Sequence, residues 1–307
     1  MGPRLDMFAR GASRTLAFMI FLMTAAGAMA PLGSQTRESP ARAEVEQLIR
    51  ASGAEIGVAF QLLDRAQELF LDADKPFHAA STMKVPVMIE LFAEAGDKKL
   101  SVEDKIPVKN EFKSLADGSP YHLNASDDSD NDVYKAIGTS WTLRQLCEAM
   151  ITRSSNLAAN LLIERLGVEN IRARVHSLGA DGMQVLRGVE DEKAFQKGMN
   201  NTTTARGLLI LLKAIAENRA GDADSCKQMR EMLERQTFNE AIPAGLPSGI
   251  LVAHKTGEIT GVHHDAAIVY AAKPFVLVIL VKGIEDRDKS SLLMASITRA
   301  IYRDSQR

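Results

Sequence analysis

Residues 77–92 read FHAASTMKVPVMIELF, a short run of small and polar residues that leads into apolar residues at helical spacing. Met83, Val87, Ile89 and Leu91 follow this spacing. Apolar residues that recur in this way indicate a helix, and here they cover most of its surface. We therefore predict a largely buried helix, and the polar residues at its start become the first candidates for a functional site.

Ser81 and Lys84 are two polar side chains at this helix start, and they are three residues apart. That spacing places them on one helix face, about one turn apart. A serine hydroxyl needs a base within hydrogen-bond reach to act as a nucleophile. A lysine can be that base if an apolar environment lowers its pKa. The structural alternative is a solvated helix face without a function, because a serine and a lysine at this spacing also occur together by chance.

Two later motifs favour the functional interpretation. Residues 154–156 read Ser-Ser-Asn and residues 255–257 read Lys-Thr-Gly. The first motif begins 73 residues after Ser81, and the second begins 101 residues after the first. Ser-x-x-Lys, Ser-Asp-Asn and Lys-Thr-Gly in this order are the signature of class A β-lactamases and penicillin-binding proteins. Over about residues 45–305 the chain resembles this class A β-lactamase group of penicillin-interacting serine hydrolases. It departs at Ser155, where the signature has aspartate.

The resemblance implies roles for the residues of the first two motifs. Ser81 is the expected nucleophile that forms an acyl-enzyme, and Lys84 its base or a proton relay. Ser154 would pass a proton to the leaving nitrogen, and Asn156 would bond a substrate amide. The structural alternative for Ser154 and Asn156 is a helix cap.

The third motif implies a substrate-binding strand. Lys255 would keep a positive charge near Ser154 and a substrate carboxylate, and Thr256 would offer its hydroxyl to the same carboxylate. Gly257 would let the backbone approach the ligand, and the N–H of Glu258 would complete an oxyanion hole with that of Ser81. A polar strand edge is the structural alternative for this motif.

The region that would supply the water activator for deacylation departs from the family pattern. The family's Glu-x-x-Leu-Asn pentapeptide is absent between Ser154 and Lys255, and the corresponding region, residues 187–196, reads RGVEDEKAFQ. Glu190 is our candidate, Glu192 is the rival, and solvated loop charges are the structural alternative. This departure puts efficient β-lactam hydrolysis in question, but not acylation of Ser81.

The periodicity predicts an α/β (α+β) fold. Its antiparallel sheet comes from both chain ends, with flanking helices and an inserted all-helical subdomain. We expect a half-buried strand at 55–63, paired with 68–71, and three strands near the C-terminus. The latter lie at 251–256, 264–270 and 275–281. Helices are expected at 44–51, 143–152, 157–166, 168–178, 204–217, 224–235 and 290–302.

The domain organisation follows from composition. Residues 1–30 have a basic start, a short apolar run and small residues, which indicate a signal peptide, and 31–43 read as a linker. Residues 44–305 form one catalytic domain, with 44–78 and 236–305 as its α/β part and 79–235 as its helical part. We expect a periplasmic or secreted monomer.

The same composition limits the partners. A net charge of −2 gives no basic footprint for nucleic acid and no stable membrane partner. We expect a small-molecule substrate, a β-lactam or a peptidoglycan-like amide, and no metal or cofactor.

Three further groups have plainer interpretations. Asp127, Asp128, Asp130 and Asp132 resemble a calcium loop but lack its glycine and glutamate, so we predict a solvated acidic loop. It lies in an insertion, residues 112–141, where Tyr121 or Tyr134 could overhang the site. For His263, His264 and Asp265 we expect a turn that lines the pocket rather than a metal site.

Cys147 lies where many relatives of the resembled family have half of a disulfide, but the partner position is Met88. We therefore expect two buried free thiols, Cys147 and Cys226.

Three functions remain open at this point. The first is a class A-like β-lactamase. The second is a D-alanyl-D-alanine peptidase or esterase on the same scaffold, and the third is a sensor that binds β-lactam or peptidoglycan fragments covalently without turnover. Whether Glu190 or Glu192 reaches Ser81 separates the first function from the third.

Overall fold

The computed structural model describes residues 40–307. The predicted signal peptide and most of the predicted linker lie outside this part of the chain. The helices are α1 Pro40–Ser52, α2 Lys84–Gly96, α3 Asn131–Lys135, α4 Leu143–Thr152, α5 Asn156–Leu166, α6 Val168–Ser177, α7 Glu192–Gln196, α8 Ala205–Ala216, α9 Ala223–Glu234 and α10 Arg287–Ser305. The strands are β1 Glu55–Leu62, β2 Glu68–Leu71, β3 Phe77–His78, β4 Lys105–Pro107, β5 Phe112–Lys113, β6 Pro120–Tyr121, β7 Ser140–Thr142, β8 Thr202–Thr203, β9 Leu251–Ile259, β10 Val262–Tyr270 and β11 Phe275–Lys282.

The main sheet combines strands from both ends of the chain, in the order β2-β1-β11-β10-β9. Every neighbouring pair is antiparallel. Between these strands the chain builds the helices α2 to α9. The predicted fold class is therefore confirmed, and β9, which contains the Lys-Thr-Gly motif, is an edge strand.

The sheet is covered on both faces, and this corrects the prediction for β1. Alternating Ile56, Val58 and Phe60 pack with α1 and α10 on one face. The opposite face lies under α8, and Ala59 on that face is also buried. We expected a half-buried strand, but a second helical layer covers the small residues between the large ones.

α2 is the central helix of the helical part. Its residues from Lys84 to Glu94 are all buried, and α4, α5, α6, α8 and α9 pack against it. Leu146, Leu157 and Leu212 are among the surrounding core residues. The predicted buried helix is confirmed, although Ser81 lies in the 3-10 turn Ala80–Met83 that precedes it.

Two boundaries differ from the predictions. α1 begins at Pro40, so residues 40–43, assigned to the linker, form its first turn. The stretch between α2 and α4 contains two small antiparallel pairs, β4 with β7 and β5 with β6, where the sequence read as mainly helical. Within residues 40–307 no helix is long and apolar enough to cross a membrane.

Cys147 and Cys226 are free and buried, as predicted. Burial raises the pKa of both thiols, so neither is a reactive thiolate at neutral pH.

We predict that a thiol reagent labels two cysteines after unfolding and reacts slowly with the native protein. The melting temperature should be the same with and without a reductant, and a melting temperature lowered by reductant would contradict this thiol state.

Candidate active site

The amine of Lys84 is the centre of a cluster of polar groups beside the pocket that Ser81, Ser154 and Asn156 line. Its Nζ donates to Ser81 Oγ at 2.9 Å and to Asn156 Oδ1 at 2.8 Å. It also contacts the Ser154 carbonyl oxygen at 2.6 Å and Ser154 Oγ at 3.2 Å. The side chain is fully buried. Residues that are 70 and more positions apart in the sequence therefore meet at one amine.

Burial lowers the pKa of Lys84 to about 7, while the carboxylates of Asp128 and Glu190 oppose that shift. An amine with this pKa is substantially neutral near neutral pH and can accept a proton from a serine hydroxyl 2.9 Å away. Burial thus supplies the low pKa that a lysine base at this helix start requires.

Lys255 approaches the cluster from the edge strand β9. Its Nζ donates to Ser154 Oγ at 2.9 Å and to the Thr256 carbonyl oxygen at 2.7 Å. Burial first, and then the nearby Lys84 charge, lower the pKa of Lys255 well below its ordinary value. Ser154 Oγ thus accepts from two lysine amines, which leaves its own proton available for a group in the pocket.

The conformation of the chain around these serines is unusual. Ala80, directly before Ser81, has φ +45°, and Ser154 has φ +60°. Non-glycine residues rarely adopt this left-handed region, and such residues cluster at functional sites. At Ser154 the conformation points the backbone carbonyl at Lys84, so local strain contributes directly to the cluster.

Gly257 lets strand β9 lie against the Ser81 turn. A Cβ at this position would stand 3.0 Å from the backbone nitrogens of Ser81 and Thr82. This is tighter than most Cβ contacts, and backbone atoms cannot move aside cheaply, so a larger residue would strain the approach. Thr256, Gly257 and Glu258 line the same pocket as Ser81, and the Glu258 side chain pairs with Arg287 at 2.9 Å.

Glu190 lines the same pocket and is half-buried. Its Oε1 accepts from Asn156 Nδ2 at 3.4 Å and its Oε2 from the Asn124 N–H at 2.9 Å. Burial raises its pKa. Within residues 40–307 no hydrogen bond joins Glu190 to Ser81 or Lys84. Glu192 lies on α7, is exposed, and bonds Gln196.

The sequence analysis did not single out Asn160 and Asn201 as functional residues. Their side chains bind the backbone of residues 187–190, which we call the Glu190 loop. Asn160 of α5 bonds both the N–H and the carbonyl of Val189, at 2.7 and 2.9 Å. Asn201 does the same for Arg187, at 3.1 and 3.0 Å. An asparagine four residues after Asn156 lies on the same helix face, and this was the available signal for Asn160.

The acidic segment is only in part the solvated loop that we predicted, because Asp127 and Asp132 are exposed but the two aspartates between them are not. Asp128 and Asp130 are buried. Asp130 pairs with Arg153 at 2.8 Å, and Asp128 accepts hydrogen bonds from the start of α5. The carboxylates are buried because backbone N–H groups and a guanidinium satisfy them.

The expected turn at 263–265 is also wrong, because these residues belong to β10. Successive strand residues face opposite ways. His263 contacts Ser290 at 2.6 Å and lines the pocket, whereas His264 contacts the His78 carbonyl at 2.9 Å. Burial lowers the pKa of His264 to about 4, so it is neutral.

Tyr121 and Tyr134 do not overhang the pocket. Tyr121 bonds Asn160 at 3.2 Å, behind the Glu190 loop. Asp127 and Ser129 are the residues of that insertion that reach the pocket, which has a volume of about 970 Å³. A pocket of this size accommodates a small molecule.

Comparisons with known proteins agree with this geometry. The family described as "Beta-lactamase enzyme family" matches residues 40–304, and the chain therefore belongs to it. It is an enzyme of the serine β-lactamase type, within the β-lactamase and penicillin-binding serine hydrolases.

Two curated relatives are β-lactamases. One from Citrobacter koseri is 27% identical over 82% of this chain and 84% of its own length. One from Bacillus licheniformis is 28% identical over 55% of this chain, and the chain spans only 57% of that relative.

Solved structures share the fold. A β-lactamase from Sphaerobacter thermophilus superposes with a TM-score of 0.74 at 24% identity, covering 86% of this chain and 97% of its own. PBP-A gives the same TM-score and identity, over 86% of this chain and 94% of its own.

The fit of β9 against the Ser81 turn gives a prediction for Gly257→Ala. The added methyl group meets the backbone nitrogens of Ser81 and Thr82, and such overpacking costs about 1–3 kcal/mol. We expect a lower free energy of unfolding in denaturant titrations. Gly96→Ala is the matched control, because its methyl group would meet only Asp222 Oδ2 at 3.5 Å. Equal stability of the two variants would contradict the close approach.

Proposed function

We propose that the protein is an exported class A-like β-lactamase that forms an acyl-enzyme at Ser81 and then hydrolyses it. The observation that supports this most directly is the 2.9 Å contact between Ser81 Oγ and a buried lysine amine with a pKa of about 7. The signal-like start of the sequence supports periplasmic or secreted location, and the curated relatives named β-lactamase support the substrate class.

Acylation follows from the geometry of the cluster. Ser81 Oγ attacks the carbonyl carbon of the β-lactam amide while its proton passes to Lys84 Nζ. The C–N bond then breaks, and the nitrogen takes the Ser154 proton. Lys84 and Lys255, which both contact Ser154 Oγ, resupply that proton. The product of this step is a single acyl-enzyme, an ester at Ser81 whose acyl group still carries the amine formed by ring opening.

The carbonyl oxygen becomes negatively charged in this step and needs donors. The backbone N–H groups of Ser81 and Glu258 are the proposed oxyanion hole. The close approach that Gly257 permits supports this assignment. One such donor contributes about 100- to 1000-fold in rate. Thr256 and Lys255 bind a substrate carboxylate, and Asn156 bonds the substrate's side-chain amide.

For deacylation we assign Glu190 as the base that activates water. It shares Asn156 with Lys84, lines the pocket, and has a pKa raised by burial, which strengthens it as a proton acceptor. Glu192 is exposed and bonds its own helix, so it is the weaker candidate.

One observation favours a second function, a penicillin-binding peptidase or sensor whose acyl-enzyme persists. The Asn124 N–H donates to one carboxylate oxygen of Glu190 at 2.9 Å. In the part of the chain that the structure describes, Glu190 makes no hydrogen bond to Ser81. If this contact keeps the carboxylate from the acyl ester, Ser81 is acylated but hydrolysis is slow.

Intact-mass spectrometry with a chromogenic cephalosporin, read together with colour, tests both functions. For a β-lactamase we expect many turnovers with little adduct. Glu190→Gln should accumulate an adduct on Ser81, Glu192→Gln should behave like the wild type, and Ser81→Ala should show neither colour nor adduct. A persistent wild-type adduct without sustained colour would favour the second function. Turnover by Ser81→Ala would contradict both.

The pKa of Lys84 also predicts a pH dependence of acylation. The amine accepts the Ser81 proton only when it is neutral, so the single-turnover rate of adduct formation should rise with pH. The midpoint should lie near 7, and the rate should level off above it. Single-turnover kinetics separate this limb from deacylation and therefore from Glu190. A rate that still rises with a midpoint near 10 would show that Lys84 has an ordinary pKa.

A further inference from the structure

The middle motif lacks the aspartate that the family signature has between its serine and asparagine. Ser155 stands there instead. It is the N-cap of α5, and its Oγ accepts a single backbone bond, from the Ala158 N–H at 3.2 Å. The first N–H groups of a helix have no partner within the helix, so those of Asn156 and Leu157 need an acceptor from elsewhere.

Asp128 supplies that acceptor from a segment 27 residues earlier. Its Oδ2 accepts from the N–H groups of Asn156 and Leu157 at 2.8 and 2.9 Å, and the Ser155 hydroxyl stands 3.4 Å from the same oxygen. The other oxygen accepts from the Asp130 N–H at 3.0 Å. The side chain is buried, and a carboxylate is stabilised at a helix N-terminus.

Neighbouring contacts fix this segment to the same place. Ser129 Oγ donates to the Arg153 carbonyl at 2.8 Å, and Asp130 pairs with the Arg153 guanidinium at 2.8 Å. Residues 128–130 therefore bind the chain on both sides of Ser154, at Arg153 before it and at the start of α5 after it.

The opposite side of this backbone faces the reacting groups. The Ser154 carbonyl and Asn156 Oδ1 both accept from Lys84 Nζ. The short stretch 154–157 is thus held between Asp128 on one side and Lys84 on the other. A small shift at Asp128 would move Ser154 and Asn156 relative to Ser81.

We propose that Asp128 is a positioning residue of the active site, whose carboxylate replaces the missing aspartate of the middle motif and fixes Ser154 and Asn156 against Lys84. The proposal deepens the proposed acylation at Ser81 and rests on it. Asp128 does not touch substrate in this role but acts through the backbone of α5.

Its charge adds an effect that a purely structural residue would lack. Lys84 faces the carboxylates of Asp128 and Glu190, which raise its pKa, and the amine of Lys255 across Ser154 Oγ. Replacing Asp128 by asparagine removes one negative charge. The pKa of Lys84 should fall, and the pH midpoint of acylation should move to lower pH.

The test compares Asp128→Asn, Ser155→Asp and the double variant, with Asp132→Asn as the matched control. Asp132 belongs to the same segment but is exposed, and its carboxylate pairs with Lys135 at 2.9 Å. Single-turnover acylation by a fluorescent penicillin is followed from pH 5.5 to 9, together with the melting temperature. Misplacement by about 1 Å costs on the order of 100-fold in rate.

We expect acylation by Asp128→Asn to slow by about 10- to 100-fold, with its pH midpoint lowered, while Asp132→Asn matches the wild type. Ser155→Asp alone should lower the melting temperature, because two carboxylates would then stand together. In the double variant Asp at residue 155 caps α5 directly, so most of the lost rate and stability should return.

Two results would overturn the proposal. One is acylation by Asp128→Asn within twofold of the wild type with an unmoved pH midpoint. The other is a double variant that recovers neither rate nor melting temperature relative to Asp128→Asn. Absence of a wild-type adduct would instead reject the proposed function. The melting temperatures of the wild type, Asp128→Asn, Ser155→Asp and the double variant would still show whether one carboxylate replaces the other.

Discussion

The active site depends on one buried amine, that of Lys84. It is fully buried, and burying a charged group is costly unless hydrogen bonds satisfy it. Four oxygens from Ser81, Ser154 and Asn156 surround it. The turn before α2, the junction before α5 and strand β9 meet at this point. The same burial lowers the pKa of the amine, so the packing of the helical part also sets its chemistry.

Much of this arrangement could be predicted from sequence because it is encoded locally. The spacing of Ser81 and Lys84, the order of the three motifs and the alternation of apolar residues in β1 were enough to predict the sheet, the buried α2 and the clustered side chains. Several helices match the predicted ranges closely, and α4 does so to the residue. These features reflect periodicity and capping, which short stretches of sequence specify.

The errors share a different cause, since each depends on what the rest of the chain places nearby. Asp128 looked solvated because sequence does not show that the α5 N–H groups need its carboxylate. β1 looked half-buried because α8 covers its second face only in the folded protein. The position of Glu190 depends on its left-handed backbone and on Asn160, which holds the preceding residue.

The central claim is that burial lowers the pKa of Lys84 to about 7, so that a substantial fraction of the amine is neutral at neutral pH. Its most direct test is an NMR titration of the side-chain amines in protein labelled at lysine, with Lys84→Arg used to assign the signal. The account predicts a lysine signal that titrates near pH 7 and is absent from that variant, distinct from the signal of Lys255, whose pKa is also lowered. If the assigned Lys84 signal titrates near 10 instead, the amine is protonated at neutral pH and cannot be the base for Ser81.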